Sequence, residues 1–334
     1  MKTLAAEELA GVFGGFAEEC RGSSPLYERL SREVAGDAHL LKALTPAVGS
    51  RFNANVFFAS VRYLALKEGG DVPTAPAAFR RFCDERLEAI RALLATRVTQ
   101  TNEVMRCSYL LLGFHTIWAR FGRPLALLEV GASAGLNLLF DRYRYDYGRH
   151  GALGPVESPV VLAPSVISGA PPVPADFPPV SWRLGVDIQP LDPRDDDHRL
   201  WLKACVWPEH RERERRLEKA LDLAARSPAR ILAGNILDVL DAAAAGAPPD
   251  AALVVFHSNT IGYLSSEERT RLAGKLVEIG RQRNAFRLSG EPPSPAEGFE
   301  AALRLKHLSA DEPEILLARL VQHGRGFSWT APQC

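Results

Sequence analysis

The sequence has no excess of charge of either sign. Its 334 residues contain 40 Lys and Arg and 40 Asp and Glu, so the formal net charge is zero. A protein that binds nucleic acid or an anionic membrane through its overall charge needs an excess of basic residues. The composition provides no such attraction, and we therefore expect neither nucleic acid nor a membrane as a partner.

Paired cysteines and long apolar runs are also missing. The five cysteines form no Cys-x-x-Cys pair, so the spacing indicates neither a zinc site nor a disulfide framework. The longest mainly apolar segment, 109–118, is interrupted by Gly113 and His115 and is too short to cross a bilayer. Glu7 and Glu8 lie where a signal peptide needs its apolar region. We expect a cytoplasmic protein with reduced thiols and no bound metal.

Helical patterns dominate the first 120 residues. Ser24 and Pro25 are typical of an N-cap followed by the first helical position. Apolar residues then recur at helical spacing, and no strand pattern interrupts them. The pattern predicts an all-helical N-terminal domain or cap over residues 1–122, with further helices at 53–70, 77–94 and about 104–121.

From Pro124 onward, strands alternate with helices. The apolar run 125–130 leads into the glycine-rich turn 131–135 and an amphipathic stretch, which together predict a strand, a tight turn and a helix. This alternation favours a mainly parallel sheet within an α/β domain over residues 123–334. Residues 149–180 contain eight prolines and are expected to form a long loop or lid. Further strands are expected at 182–188, 229–237, 251–258 and 285–291, followed by a closing antiparallel hairpin.

The turn after the first strand carries the strongest motif, EVGASAGLN. Small residues there leave backbone N–H groups accessible at the start of a helix, which suits a carboxylate or a phosphate. The spacing matches neither a P-loop nor the GxGxxG of nicotinamide dinucleotide proteins. It resembles the first motif of class I S-adenosylmethionine methyltransferases, with a serine in place of the middle glycine. The alternative is a tight turn with no ligand. The resemblance implies a cofactor site that includes Glu129, Gly131, Ser133, Gly135 and Asn137.

The ends of the second and third strands supply the other candidates for a cofactor site. Asp187 follows the second strand, where an acid can accept the hydroxyls of a ribose. It lies 58 residues after Glu129, beyond the usual gap of about 20, and Asp192 is the alternative. The resemblance to methyltransferases places Asn235 and Asp238, after the third strand, near the adenine.

The fourth and fifth strands end in polar residues that share the same edge of a parallel sheet. His257 is the first candidate for a general base, because its ordinary pKa is near neutrality. The alternative is a histidine that only holds its loop. The remaining candidates for catalysis or for a substrate pocket at this edge are Ser258, Asn259, Tyr263, Ser289 and Glu291.

A polar cluster precedes the last helix of the N-terminal part. Asn102 and Arg106 are four residues apart and would share one helix face. Arg106 lies among apolar residues, and a buried arginine needs an anionic partner: Glu103, a cofactor carboxylate or a substrate. The alternative for Asn102 is a simple N-cap. We include all three residues among the candidates for a pocket.

The long motifs together resemble a bacterial family called domain of unknown function 2332. The segments that carry this resemblance run in order from about residue 10 to 330 and are TQTNEVMR, EVGASAGLNLLFDRYRY, GVDIQPLDP, WLKACVWPE, VVFHSNTIGYL and QHGRGFSW. The resemblance implies a Rossmann-like methyltransferase fold with a helical N-terminal part. It supplies no reaction.

The sequence thus predicts an enzyme that binds S-adenosylmethionine and methylates a small molecule. The helical part and the 149–180 segment are expected to close over the substrate. One alternative is an enzyme of this fold that does not use S-adenosylmethionine and catalyses another displacement or an elimination. Another is a non-catalytic subunit that binds a protein partner or a second copy of itself.

Overall fold

The chain is a mixed α/β protein built from two compact units. The computed structural model describes residues 4–49, 52–292 and 299–332. One unit, the helical unit, combines residues 1–101 with 195–215. The other, the sheet unit, combines residues 102–194 with 216–334. This division differs from the boundary expected after residue 122, since the helix that ends at Phe121 belongs to the sheet unit.

Eleven α-helices occur in the described residues. The helical unit contains the first six and the eighth, the ninth runs across residue 215, and the others belong to the sheet unit. Their bounds are α1 Ala6–Cys20, α2 Pro25–Gly36, α3 Ala38–Leu44, α4 Ala54–Lys67, α5 Pro76–Glu85, α6 Leu87–Thr96, α7 Cys107–Phe121, α8 Asp196–Ala204, α9 Arg211–Arg226, α10 Ile236–Ala245 and α11 Ser266–Gln282. No helix in the described residues is long and apolar enough to cross a membrane.

The helical unit is organised around an aromatic core. Its helices bury apolar stripes that bring together Phe13, Phe57 and Phe58, whose ring centroids lie 5.2 to 6.2 Å apart, all edge to face. Full burial of one such side chain stabilises a fold by about 1.5–3 kcal/mol. The prediction that Ser24 caps a helix is confirmed, because its hydroxyl accepts a hydrogen bond from Tyr27 N.

The single helix predicted over residues 77–94 is two helices. Arg86 separates α5 from α6, with φ −120° and ψ 17°, outside the helical region. Its guanidinium pairs with Glu68 and lies over the ring of Phe82. These contacts fix the break in the helix.

Arg62 of α4 binds residues 195–215, the second segment of the helical unit. Its side chain is fully buried, and its guanidinium donates to the carbonyl oxygens of Lys203 (2.9 Å) and Val206. It also pairs with Asp71 (3.0 Å) and Glu214. Residues 195–215 are therefore tied to α4 by charge-assisted hydrogen bonds.

Twelve strands occur in the described residues, all in the sheet unit. Nine of them form one mostly parallel sheet, which confirms the α/β prediction, and the other three form a small sheet. Their bounds are β1 Leu125–Val130, β2 Arg144–Asp146, β3 Ala152–Leu153, β4 Val161–Leu162, β5 Ser165–Ser168, β6 Val180–Asp187, β7 Ile231–Ala233, β8 Ala252–Ser258, β9 Ala285–Glu291, β10 Ala301–His307, β11 Ile315–Leu320 and β12 Gly326–Trp329.

The order in the large sheet is β5-β12-β11-β10-β9-β8-β1-β6-β7. The chain runs from β1 to β6 and β7 on one side, then returns to β8 on the other side of β1. A parallel sheet has its topological switch point where the direction of winding reverses, and ligands bind at the carboxyl ends of the strands there. The loops after β1 and β8 therefore flank the position where such folds bind ligands. The predicted closing hairpin is the antiparallel pair β10 and β11.

The two faces of the large sheet carry different helices. Apolar side chains such as Leu128 and Val255 pack with α10 and α11, and we call this side the α11 face. On the opposite side, the α7 face, Phe114 meets Phe256 at 5.1 Å. Gly113 brings α7 close to the sheet, since a Cβ at this position would lie 2.7 Å from Leu288.

Two segments of the sheet unit differ from their predicted structure. The expected loop 149–180 contains β3, β4 and β5, each of only two to four residues, because proline cannot donate to a strand ladder and keeps strands short. The helix expected after β1 is a seven-residue 3-10 helix, Leu136–Arg142, which leads into β2. The hydroxyls of Tyr143 and Tyr145 donate to the carbonyl oxygens of Leu136 and Phe140, both at 2.7 Å, which ends the helix early.

Candidate functional site

The turn after β1 has the backbone conformation that its glycines suggest. Gly131 and Gly135 have φ +76° and +73°, and Ser133 between them has φ +53°. A left-handed conformation is uncommon for serine and is found where the surrounding structure imposes it. Ser133 therefore keeps the conformation that glycine would favour at the middle position of this motif.

The N–H groups of this turn are not available to a ligand in this structure, contrary to the prediction. Ser133 N donates to Asp187 Oδ2 at 2.8 Å, and the N–H groups of Ala134 and Leu136 both donate to Asn102 Oδ1, at 3.3 and 3.2 Å. The remaining N–H groups of residues 131–135 donate to carbonyl oxygens of the chain. Asn102 thus holds the turn through its amide oxygen.

The two glycines of the turn make room for neighbouring side chains. A Cβ on Gly131 would lie 2.5 Å from Thr260 of the loop after β8. A Cβ on Gly135 would lie 2.8 Å from Ala229. Close packing within the protein therefore explains both glycines without a ligand.

Glu129, at the end of β1, is a buried acid with incomplete hydrogen bonding. Its Oε1 accepts from Asn137 Nδ2 at 2.8 Å, whereas Oε2 is buried and has no partner. Removal from water raises the pKa of this carboxyl from 4.5 to about 8, against a smaller lowering by Asn137 and by the nearby positive charge of Arg106. Ser133 Oγ is a second buried atom without a partner at the same turn.

Arg106 lies on the α7 face and is also incompletely paired. Its Nη1 donates to the carbonyl oxygen of Ser258 at 3.1 Å, and its buried Nε has no partner. Glu103, one of its expected partners, instead pairs with Arg216 at 3.4 Å. Within the described residues, Arg106 and Glu129 form no ion pair with each other.

Asp187 accepts a hydrogen bond from the turn, whereas the partner of Asp192 is Arg194. Asp187 Oδ2 accepts from Ser133 N and Oδ1 accepts from Gln189 N, both at 2.8 Å, so that its half-buried carboxylate is fixed at the edge of β6. Asp192 pairs with Arg194 at 2.7 Å. Ile188, which we did not single out from the sequence, follows Asp187 and is 62% exposed.

Asn235 and Asp238 lie at the carboxyl end of β7, and both are exposed. Asn235 is the N-cap of α10, and its Oδ1 accepts from Leu237 N at 3.0 Å. Asp238 is in the first turn of the same helix, where a negative charge is favourable. Both residues thus have a role in starting α10, whether or not they contact a ligand.

His257 and Glu291 form a hydrogen-bonded pair on the α11 face. His257 Nδ1 and Glu291 Oε1 are 2.7 Å apart, and both side chains are buried. Glu291 also accepts from Thr260 N at 2.9 Å, which holds the loop after β8. Two of the three predicted catalytic residues therefore meet, whereas the third, Tyr263, is 56% exposed.

A pocket of ≈ 490 Å³ adjoins this pair, between α11 and the strands β8, β9 and β10. Its lining residues are His257, Ile261, Arg269, Leu272, Ala273, Leu276, Arg287, Ser289, Glu291, Pro292, Arg304 and Glu314. Sequence reasoning missed Arg287, although residues 287, 289 and 291 alternate along one strand and must share a face.

The α7 face carries the remaining predicted residues. Ser258 Oγ lies 2.7 Å from the hydroxyl of Tyr109, a buried residue that we did not predict. Asn259 has φ +52° and, like Ser133, adopts a left-handed conformation beside the switch point. Two non-glycine residues in this conformation thus follow β1 and β8, the two strands at the switch point.

The described residues contain no cluster of three or more residues that could hold a metal ion. Their four cysteines are buried and free, and Cys334 lies outside the described residues.

Comparison with known proteins identifies the family of the chain. No curated protein and no solved structure matches it. A family model described as an uncharacterized protein conserved in bacteria (DUF2332) matches residues 10–329. This match includes both compact units and every residue of the candidate site, and the chain therefore belongs to the bacterial family DUF2332.

Proposed function

We propose that the sheet unit binds S-adenosylmethionine at the carboxyl ends of β1, β6 and β7, and that the protein methylates a small molecule. The observation that carries this proposal is a pair of buried, ionisable side chains with incomplete hydrogen bonding, Glu129 at the end of β1 and Arg106, which donates to the end of β8. Each has an atom without a partner, and neither neutralises the other. An amino-acid zwitterion would satisfy both, with its ammonium on Glu129 and its carboxylate on Arg106.

The strand order supports the same position. The order β7-β6-β1-β8-β9 corresponds to 3-2-1-4-5 in doubly wound nucleotide-binding sheets, which bind their ligands at the switch point. A methyltransferase-like Rossmann fold is part of this proposal. Asp187 would accept the ribose hydroxyls, because two backbone N–H groups already orient its carboxylate. The exposed Ile188 offers an apolar surface for the purine.

The residues of the turn itself have a supporting role in this proposal. Their N–H groups donate to Asn102 and Asp187, so that we assign the cofactor carboxylate to Arg106 rather than to the turn. Ser133 Oγ, which has no partner, remains available for a hydrogen bond. The bound cofactor would supply an electrophilic methyl group. His257 would take a proton from the acceptor through Nε2, while Glu291 orients the ring through Nδ1.

Calorimetric titration with S-adenosylmethionine and S-adenosylhomocysteine tests this proposal. We expect Asp187→Asn to weaken binding at least about tenfold, which corresponds to about 1.4 kcal/mol. Asp192→Asn is the matched control and should bind as the wild type does. If neither ligand binds the wild type, or if only Asp192→Asn loses affinity, the proposed cofactor site is wrong.

A proton measurement in the same titration examines Glu129 directly. With a pKa of about 8, Glu129 is mostly protonated at pH 7, and an ammonium beside it would expel that proton. Binding heats measured in buffers of different ionisation enthalpy should therefore show release of nearly one proton. Glu129→Gln should bind more weakly and release none. Equal proton release by both proteins would exclude Glu129 as the partner of the ammonium.

A second candidate function is an enzyme of the same fold that does not use this cofactor. The specific observation in its favour is that the N–H groups of the turn and the spaces beside its glycines are occupied by the protein's own atoms. The His257–Glu291 pair and the adjoining pocket would then provide acid–base chemistry for a displacement or an elimination. The absence of cofactor binding, together with a ligand in this pocket, would favour this candidate.

A further inference from the structure

The pocket on the α11 face combines an apolar wall with charged groups. Leu272 and Leu276 of α11 and Ile261 form one side. The opposite side is the surface of β8, β9 and β10, where polar side chains replace the apolar ones found deeper in the sheet. A concave site with mostly apolar walls and a few convergent polar groups is typical of small-molecule binding.

The polar groups form one row across three strands. His257 of β8 lies opposite Ser289 of β9, which in turn lies opposite Arg304 of β10. Side chains at opposed positions of neighbouring strands share a face, and the strands are about 4.8 Å apart, so the row spans about 10 Å. This length suits a ligand with one polar group at each end or a ring between them.

The pocket has an excess of positive charge. Among the described residues, three arginines and two glutamates line it, and with neutral histidine their formal charge is positive. Arg287 pairs with Glu314, yet its Nε is buried and has no partner. An anion in the pocket would therefore supply a hydrogen bond that the protein does not provide.

We propose that this pocket binds a small organic carboxylate with an apolar body. Its carboxylate lies against Arg287 and Arg304, its apolar part lies against α11, and its far end faces Nε2 of His257. The proposal that the pocket binds a carboxylate does not depend on the cofactor site. Only the assignment of this ligand as the methyl acceptor, deprotonated by His257, rests on the proposed function.

Benzoate, benzamide and acetate are suitable probes, with binding followed by calorimetry or by ligand-observed NMR. Benzamide keeps the ring and removes the charge, whereas acetate keeps the charge and removes the ring. We expect benzoate to bind at least about tenfold more tightly than either, about 1.4 kcal/mol. Equal affinity for benzamide would contradict the role of charge, and no saturable binding of benzoate would overturn the proposal.

Three variants localise the bound probe. Arg287→Gln should weaken benzoate binding at least about tenfold, since charged hydrogen bonds contribute about 1.5–3 kcal/mol. Glu314→Gln should strengthen it, because it removes the carboxylate that competes for Arg287. Arg319→Gln, an exposed change on β11 outside the pocket, is the matched control and should have no effect. A loss of affinity in both Arg287→Gln and Glu314→Gln would indicate a structural role for the pair and contradict the proposal.

These experiments test the cofactor site and the carboxylate pocket separately. Arg287→Gln should leave S-adenosylmethionine binding unchanged, and Asp187→Asn should leave benzoate binding unchanged. Benzoate binding without cofactor binding would refute the proposed function alone. Cofactor binding without benzoate binding would refute the carboxylate pocket alone.

Discussion

At the residue scale, Glu129 is a carboxyl whose burial brings its pKa into the range near neutral pH. The folded protein holds its pKa at about 8, above the ordinary 4.5, chiefly through burial. Between these two values the folded state retains a proton that the unfolded chain has released. The free energy of unfolding must therefore fall as the pH rises through this window.

This linkage gives a measurable prediction. Glu129 should make the free energy of unfolding fall by at most about 1.4 kcal/mol per pH unit between about pH 4.5 and 8. Its stabilising contribution is fully present below that window. Urea unfolding of Glu129→Gln at several pH values should show a smaller loss of stability toward pH 8 than the wild type. Glu157→Gln, an exposed change, should keep the wild-type slope. An unchanged slope in Glu129→Gln would contradict the buried, protonated state.

At the element scale, the sheet was the more predictable part of the structure. Strands β1 and β9 have the predicted bounds, and the apolar run of β1 is typical of a buried parallel strand. The strand predicted over 229–237 is shorter in the structure, where β7 includes only Ile231–Ala233, because Asn235 is the N-cap of α10. The 3-10 helix after β1 was not predictable from periodicity, because tyrosine hydroxyls decide where it ends.

The sequence indicated which residues lie at the candidate site, but not which of them form hydrogen bonds with each other. The rule that parallel strands end at one edge placed His257 and Glu291 together, and they do meet. The partners of the turn were missed because Asn102 reaches it from the residues before α7, which no strand pattern connects to β1. The division of polar residues between two faces also depends on strand register, which the sequence alone leaves open.

The tyrosine contacts that end the 3-10 helix can be tested at this scale. Tyr143→Phe removes the hydroxyl that donates to the buried carbonyl of Leu136 and leaves that acceptor without this bond. We expect a loss of about 1–3 kcal/mol in the free energy of unfolding, measured by urea denaturation. Val156→Ala changes a side chain that is 79% exposed and should change stability much less. Equal stability of the two variants would show that the hydroxyl of Tyr143 is not needed.

At the scale of the whole molecule, the helical unit is built from two segments of the chain, and the second of them, residues 195–215, is short. Residues 195–215 interrupt the sheet unit between β6 and β7 and contribute α8 to the helical unit. Such a segment has few interactions of its own with which to stay folded. Arg62 provides several of them, because it bonds two carbonyl oxygens and one carboxylate of this segment.

Arg62→Ala should therefore act on the helical unit first. It removes the Arg62 guanidinium from Glu214, which keeps Lys203 at 3.2 Å, and from the carbonyl oxygens of Lys203 and Val206. Removal of one member of a buried ion pair costs about 3–5 kcal/mol. Hydrogen exchange followed by mass spectrometry should show faster exchange in α4 and in residues 195–215, with β1 and β8 still protected. Arg29→Ala, at an exposed position of α2, should leave exchange unchanged in both regions. Faster exchange throughout the chain in Arg62→Ala would instead mean that the two units unfold as one, because loss of a contact confined to one unit would then lower the stability of both.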